Sequence, residues 1–277
     1  MSNPMPQHRV TPSLSRGEKL PISVHVLTWN SGKTLRRALE SVKDCTEILA
    51  IDGGSTDDTL TIAREFGAKV IPQPIQGRPL EDFSAARNIG LKHAAQPWIL
   101  SMDSDEYVSP ELMAEIAQTV HAGVPCAFLV PRRYVLPDGT VIRYATTYPN
   151  ERLYFFHRDA VTKWIKPVHE RPELCPGIEI KRLGGASLAP LGTLEDYRRK
   201  NERYIELEVQ KSRGKGWGHW LAHRLLHTLR SRLIAFVKLL WIWGIPRPGR
   251  RLPIRHELVR FWYAWKLIVA TMPFPRK

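Results

Sequence analysis

The sequence has no apolar run long enough to cross a bilayer. Its two most apolar stretches, Leu233 to Ile245 and Phe261 to Met272, are interrupted by Lys238 and Lys266. Both fall short of the roughly 20 residues a spanning helix needs. Cysteine is scarce, and Cys45, Cys126 and Cys175 stand far apart. An odd number of cysteines with no CxxC and no Cys/His cluster argues against a disulfide framework and a structural zinc site, and for a reducing, cytoplasmic setting. The first twenty residues lack the apolar stretch of a signal peptide. Rich in Pro, Ser and Arg, they are expected to form a disordered leader over 1–20. No GxGxxG fingerprint and no GxxxxGK[ST] loop occurs, which weighs against dinucleotide and ATP binding. No internal repeat is visible.

Acidic residues are nearly missing from one end of the chain. Residues 198–277 carry 19 Lys+Arg against 4 Asp+Glu, whereas residues 1–197 carry 22 against 23. The formal net charge of +14 therefore belongs to the last part of the chain. Such a tail is a solvated face or attracts an anionic surface. Its two apolar stretches are dense in Trp and flanked by Arg, the composition of helices that lie in a membrane interface. Residues 212–277 are thus expected to be a basic, Trp-rich helical region making peripheral contact with a membrane, with no nucleic acid as partner.

What the chain does have is regular alternation. Ile22 to Leu27 is β-branched and alternates, which predicts a strand. Leu35, Ala38, Leu39 and Val42 then mark one face of a helix. Glu47 to Ile51 is a second strand, and Ser55 with Asp58 has the spacing of a capping box opening the next helix, closed by Gly67. A short strand at 69–71, a helix over 82–95 and a buried strand from Pro97 to Met102 follow. Ser109-Pro110-Glu111 then starts another helix. This β-α-β-α-β-α-β order predicts a mostly parallel sheet flanked by helices, an α/β fold. Residues 126–190 read as strands, with a hairpin turn at Asp138-Gly139, and residues 194–211 as a helix. The expected division is a domain over 21–211, with halves 21–125 and 126–211, and the basic appendage over 212–277.

In open sheets of this kind ligands bind beyond the carboxyl ends of the strands. Three polar segments fall there: Thr28 to Asn30, Asp52 to Asp58, and Asp103 to Glu106. They are expected to converge. Asp103 and Asp105, two carboxylates at i and i+2 after a buried strand, suit Mg²⁺ or Mn²⁺ bridging a diphosphate, which takes one or two protein carboxylates. Without the two other loops the same residues would read as a solvated strand end. Asp52 can accept hydrogen bonds from a base or ribose, while Ser55 and Asp57 cap a helix. Arg87-Asn88 flank the apolar stripe of Phe83, Ala86 and Ile89, and alone would read as an exposed helix face. In Val168-His169-Glu170, Glu170 is the leading candidate for a general base, with His169 orienting it or binding metal. Asp196, beside Glu195, is a second candidate base.

Taken together these residues resemble family 2 glycosyltransferases of the GT-A fold, in particular the branch containing lipopolysaccharide-core glucosyltransferases. The matching elements are Thr28-Trp29-Asn30-Ser31, Asp52-Gly53-Gly54-Ser55-Thr56-Asp57-Asp58-Thr59, Arg87-Asn88, Asp103-Ser104-Asp105-Glu106 and Val168-His169-Glu170. The resemblance implies a nucleotide-diphosphate sugar, with UDP favoured, bound by Thr28, Asn30, Asp52, Ser55, Asp57, Arg87, Asn88, Asp103 and Ser104. It implies Mg²⁺ or Mn²⁺ on Asp103, Asp105 and His169, with Glu170 and Asp105 catalytic. It also implies transfer of a hexose, with inversion, to a glycan or lipid-linked acceptor in cell-envelope synthesis at the inner face of the membrane. Two departures stand out: Ser31 replaces a usual Glu, and Leu188 to Gly192 lacks a usual His, so either His169 takes that role or metal binding is weaker than in relatives. Two other readings compete. A nucleotidyltransferase would need a Gly-rich, basic loop after the first strand, where only Gly32 and Lys33 stand. A non-enzymatic membrane- or nucleic-acid-binding protein would leave the acidic loops inert.

Overall fold

The computed structural model describes residues 19–78, 80–122 and 124–273. The leader expected over 1–20 lies outside these residues apart from its last two, and Leu20 already opens the first strand. β1 (Leu20–Thr28), α1 (Leu35–Glu40), β2 (Cys45–Asp52), α2 (Thr59–Glu65), β3 (Lys69–Pro72), α3 (Phe83–His93) and β4 (Trp98–Asp103) follow the expected alternation. Next come β5 (Tyr107–Val108), α4 (Pro110–Ala122), β6 (Ala127–Val135), β7 (Ile142–Tyr144), β8 (Glu151–His157), β9 (Val161–Ile165), β10 (Arg171–Leu174), β11 (Ile180–Arg182) and β12 (Ser187–Pro190). The last elements are helical: α5 (Leu194–Ser212), then α6 (Trp217–His219) running through a π-helical stretch (Trp220–Leu226) into α7 (His227–Gly244). A two-residue strand β13 (Arg250–Arg251) precedes α8 (Ile254–Ala270).

The main sheet has the order β3-β2-β1-β4-β8-β6-β12-β5. Its first four strands are parallel, β8 runs antiparallel to β4, and β6 antiparallel to β8. The fold is α/β with a mixed sheet, as the alternation implied. β1 and β2 are apolar almost throughout because helices cover both faces of a parallel sheet; Val24, Val26, Leu49, Ala50 and Ile51 are fully buried. Register then fixes the site. Thr28 pairs with Asp52, and Leu27 with Asp103, so the three polar loops leave the sheet at one edge.

Local chemistry explains most element ends. Asp82 caps α3 by accepting from the Ala85 amide. Gly67 (φ +66°) closes α2 with its amide on the Arg64 carbonyl and the Ala68 amide on the Ala63 carbonyl, a Schellman arrangement. The expected Ser55–Asp58 capping box does not form. The Ser55 hydroxyl is drawn to Asp52, and Asp57 instead accepts from the Thr59 amide at 3.0 Å. Gly185 packs against the first turn of α4, where a Cβ would lie 2.3 Å from the Leu112 nitrogen and 2.4 Å from its Cα. Both are backbone atoms of a helix and cannot rotate away. Gly185→Ala is therefore expected to cost about 1–3 kcal/mol or more, read as a lowered urea midpoint; an unchanged midpoint would contradict the tight approach.

By contact the chain divides into two compact units. The first holds residues 1–132 and 151–188, the second residues 133–150 and 189–277. The expected boundary at 211/212 does not coincide with this division. α5 belongs with the tail because it packs on α8: the Tyr197 ring lies 5.8 Å from His256, and Arg198 stands over Trp262. The hairpin 133–150 joins them through Glu257, which accepts from the Thr146 amide at 2.8 Å. The expected turn at Asp138-Gly139 is present, with Gly139 at φ +82°. No helix among the described residues is long and apolar enough to cross a membrane.

Candidate active site

The loop after β1 and the loop after β2 are tied together by side chains. Thr28 Oγ1 donates to Asp52 Oδ1 at 2.8 Å, and Ser55 Oγ to the same oxygen at 2.6 Å. Asp52 Oδ2 accepts from the amides of Gly54 and Ser55, both at 2.8 Å. Asn30, at φ +48°, takes the Thr56 amide on its Oδ1 and gives its own amide to Ser55 Oγ. The Gly32 amide donates to Asp57 Oδ2. The loop after β4 joins them, since Ser31 and Ser104 share a hydrogen bond of 2.7 Å. Thr28, Asn30, Asp52, Ser55, Asp57 and Ser104 thus do converge. Asp52, however, is buried and accepts four hydrogen bonds from its own loops, which makes it the pin of the rim.

Behind the rim stands Arg87, fully buried on α3 rather than on an exposed face. Its Nε donates to Glu170 Oε1 at 2.9 Å, and one Nη2 donates both to Asp103 Oδ1 at 2.7 Å and to the Tyr154 hydroxyl at 2.8 Å. Nη1 donates to Ser101, and the guanidinium lies over the rings of Tyr154 and Trp164. Burial alone would lower its pKa; Tyr154, Asp103 and Glu170 overcome that and raise it. Asp103 is also held by Arg152, whose Nη1 reaches Oδ2 at 2.8 Å. Burial would push the Asp103 carboxyl up, but Arg87 and Arg152 hold it at about 2. It is a carboxylate at any physiological pH.

Asp105 is exposed and makes no hydrogen bond among the described residues. Glu106, two percent exposed, accepts from Arg132 and from Ser187 at 2.7 Å. Burial first, and Asp103 second, raise its pKa. Asp103, Asp105 and Glu106 each offer an oxygen, all within 4.8 Å of one another. Such a set of carboxylate oxygens fits a hard cation. The opposing guanidiniums of Arg87, Arg132 and Arg152 nearly balance Asp103, Asp105, Glu106 and Glu170.

Two residues singled out in the sequence stand apart from this group. His169 is exposed and is no member of the acidic group; Glu106 stands in it instead. Asn88 faces the other way: its amide oxygen takes the Trp164 N–H at 2.7 Å and its nitrogen donates to the Trp164 carbonyl at 2.9 Å. Both ends of the amide are spent clamping β9. Glu170 does reach the centre through Arg87, and its Oε1 also accepts from Tyr154 at 3.0 Å. Asp196 is committed to a capping box with Thr193 at the start of α5. Arg132, Arg152 and Tyr154 escaped the sequence reading. The available signal was the alternation in Glu151-Arg152-Leu153-Tyr154, which puts Arg152 and Tyr154 on one face of a strand.

Comparison with known proteins bears on this arrangement. The uncharacterized glycosyltransferase RC0292 of Rickettsia conorii is 36% identical over 96 residues, which is 34% of this chain and 32% of that protein. A lipopolysaccharide core biosynthesis glycosyltransferase of Rhizobium meliloti is 29% identical over 103 residues, 35% of this chain and 38% of that one. These matches span about a third of the curated relatives' length. The crystal structure of S. aureus TarS 1–349 in complex with UDP-GlcNAc is similar over 90% of this chain and 89% of its own, at 16% identity and a TM-score of 0.47. The sequence profile of glycosyl transferase family 2 matches residues 23–171. That span exceeds half of the chain and takes in the rim loops, the acidic group, Arg87, Arg152 and Glu170, so the chain belongs to glycosyl transferase family 2.

Proposed function

We propose that this protein transfers a hexose from a nucleotide-diphosphate sugar, a UDP-sugar by preference, to a glycan or lipid-linked acceptor, with inversion at the anomeric carbon. The observation that carries the reading is the group of Asp103, Asp105 and Glu106, at the sheet edge where the β1 and β2 loops also end, in a chain of this family. Mg²⁺ or Mn²⁺ held by Asp103 and Asp105 would neutralise charge on the departing diphosphate. The rim from Thr28 to Asp57, with Ser104, would seat the nucleotide. Glu170 would take the acceptor's hydroxyl proton on Oε2, the oxygen not engaged by Arg87 and Tyr154. The acceptor oxygen then bonds to the anomeric carbon as the bond to diphosphate breaks on the opposite face. Family membership sets aside the nucleotidyl-transfer reading. Likeness to the lipopolysaccharide-core branch favours a role in cell-envelope polysaccharide synthesis.

The test is nucleoside diphosphate release from a panel of nucleotide sugars with Mn²⁺ or Mg²⁺. Asp105→Asn is expected to lower turnover by about 100-fold or more, since it removes a metal ligand. Its melting temperature is expected to stay put, because Asp105 is exposed and unpaired. Turnover undiminished in Asp105→Asn would sink the assignment.

We place the protein at the inner membrane face through its second unit. Leu229, Leu233, Phe236, Leu240 and Trp243 recur along α7 at helical spacing and are each 48–64% exposed. Such a stripe beside a basic surface suits an anionic bilayer interface. The chain is expected to float with phosphatidylglycerol vesicles and to keep part of that binding in 1 M salt, where charge attraction is screened beyond about 3 Å. Leu233→Glu with Leu240→Glu is expected to abolish the salt-resistant part; binding lost entirely at high salt in the unaltered chain would refute an apolar contact.

A further inference from the structure

The second unit holds a half-open cavity of about 220 Å³ lined by Thr147, Tyr197, Asn201, Arg232, Arg260 and Tyr263. That volume has room for a phosphate or a diphosphate. Its walls carry donors from α5, α7, α8 and the segment after β7. Two guanidiniums share the cavity. Arg260 is partly engaged, with Nη1 on Thr146 Oγ1 at 3.0 Å and Glu257 at 3.8 Å. Glu257 is already spent on the amide and hydroxyl of Thr146. Arg232 has weaker ties, a 3.4 Å contact to the Arg260 carbonyl and one bond to Ser231. Its buried Nε has no partner, and neither has the buried Thr147 Oγ1. Burial and Arg260 depress the Arg232 pKa, and Glu257 offsets this only in part, so two guanidiniums share a single carboxylate. Buried donors left unsatisfied are costly, and an anion that accepts from them removes that cost.

We propose that this cavity is a phosphate-binding site, separate in role from the nucleotide-sugar site and independent of it. The forked guanidinium of Arg232 matches phosphate oxygens, which accept from Nε and Nη together. Thr147, the two phenols and the remaining N–H groups of Arg260 surround the same volume. That is more donors, more widely spread, than the two oxygens of a carboxylate can use. The phosphate can come from a soluble phosphate compound or from the headgroup of a phosphate-bearing lipid.

Two measurements on the full chain in EDTA test this. Equilibrium dialysis with labelled orthophosphate is expected to show one equivalent bound, undisturbed by excess UDP, and at least tenfold weaker in Arg232→Gln. In the second arm, vesicles of phosphatidate and of phosphatidylserine are matched in surface charge. Preference for phosphatidate that disappears in Arg232→Gln, with no orthophosphate bound, assigns the lipid source and still supports the site. Displacement of phosphate by UDP, or no dependence on Arg232 in either arm, overturns it. Should Arg232→Gln fail to fold, phenylglyoxal labelling of the unaltered chain decides. Phosphate, or phosphatidate vesicles against the phosphatidylserine control, is expected to protect Arg232 and Arg260 but not Arg230 or Arg247; equal labelling in both arms refutes the proposal.

Discussion

Arg87→Met is expected to lower stability by about 3–5 kcal/mol, the usual cost of removing one partner from a buried ion pair. The side chain is fully buried and bonds Asp103, Glu170, Ser101 and Tyr154 at once. Methionine fills much of the space but leaves two carboxylates facing an apolar wall. Arg87 is the largest of the influences that hold the Asp103 carboxyl down, so without it that pKa rises and the group is left with Arg152 on one oxygen alone. Sugar transfer is expected to fall by about 10–100-fold, as when a supporting partner of a metal ligand is lost. Arg87→Lys restores the charge but not the fork, and should recover only part of the stability. Urea denaturation of the unaltered chain, Arg87→Met and Arg87→Met/Glu170→Gln gives the comparison. The double variant is expected to lose less than Arg87→Met alone, because one stranded charge has been removed. Equal stability of Arg87→Met and the unaltered chain would show that the carboxylates are hydrated, not paired.

The second large effect is a loss of stability on mild acidification. His25 lies in the middle of β1, fully buried, with neither ring nitrogen hydrogen-bonded. Its ring presses on Gly90 of α3, where a Cβ would be 2.8 Å from Nδ1. Burial, reinforced by Arg87, lowers its pKa to about 3. The unfolded chain binds a proton at His25 near pH 6.5, while the folded chain stays neutral until about pH 3. The contribution is therefore fully present above pH 6.5 and is lost as pH falls toward 3, at up to about 1.4 kcal/mol per unit and about 5 kcal/mol in all. Burial shifts His256 in the same direction, so the difference between variants isolates His25. The Asp103 window lies lower, between its ordinary value and about 2. In urea melts between pH 7 and pH 4.5, the unaltered chain is expected to lose stability more steeply than His25→Val. Parallel curves would mean that His25 takes up a proton within the folded core.

How far the sequence spoke depended on how local each cause was. The strands, the helices and the three polar loops came from patterns within ten residues, and parallel register then carried Thr28, Asp52 and Asp103 to one edge. Arg87 was legible as chemistry but not as burial, because its partners come from β4, β8 and the loop before β10. Arg132 had no local signal and Arg152 only its strand alternation; it is the antiparallel pairing of β6 and β8 next to β4 that turns both toward the carboxylates. Asn88 is the opposite case: it sits in a motif, and its amide is engaged by the peptide groups of Trp164, which no pattern near residue 88 announces. The capping box failed because Asp52 competes for the Ser55 hydroxyl through a shorter and charged bond. The placement of residues 133–150 with α8 was hidden in the same way, since Glu257 reaches Thr146 across more than a hundred residues.

The saturated carboxylate of Asp52 has a consequence for whatever binds at this edge. Segments without helix or strand ordinarily surrender conformational entropy when a ligand orders them, about 1–2 kcal/mol for each residue fixed. Here the amides of Gly32, Gly54, Ser55 and Thr56 already end on side-chain oxygens of Asp57, Asp52 and Asn30. That ordering cost was met when the chain folded. An arriving ligand meets a surface with little left to freeze, and more of each contact it makes is kept as affinity.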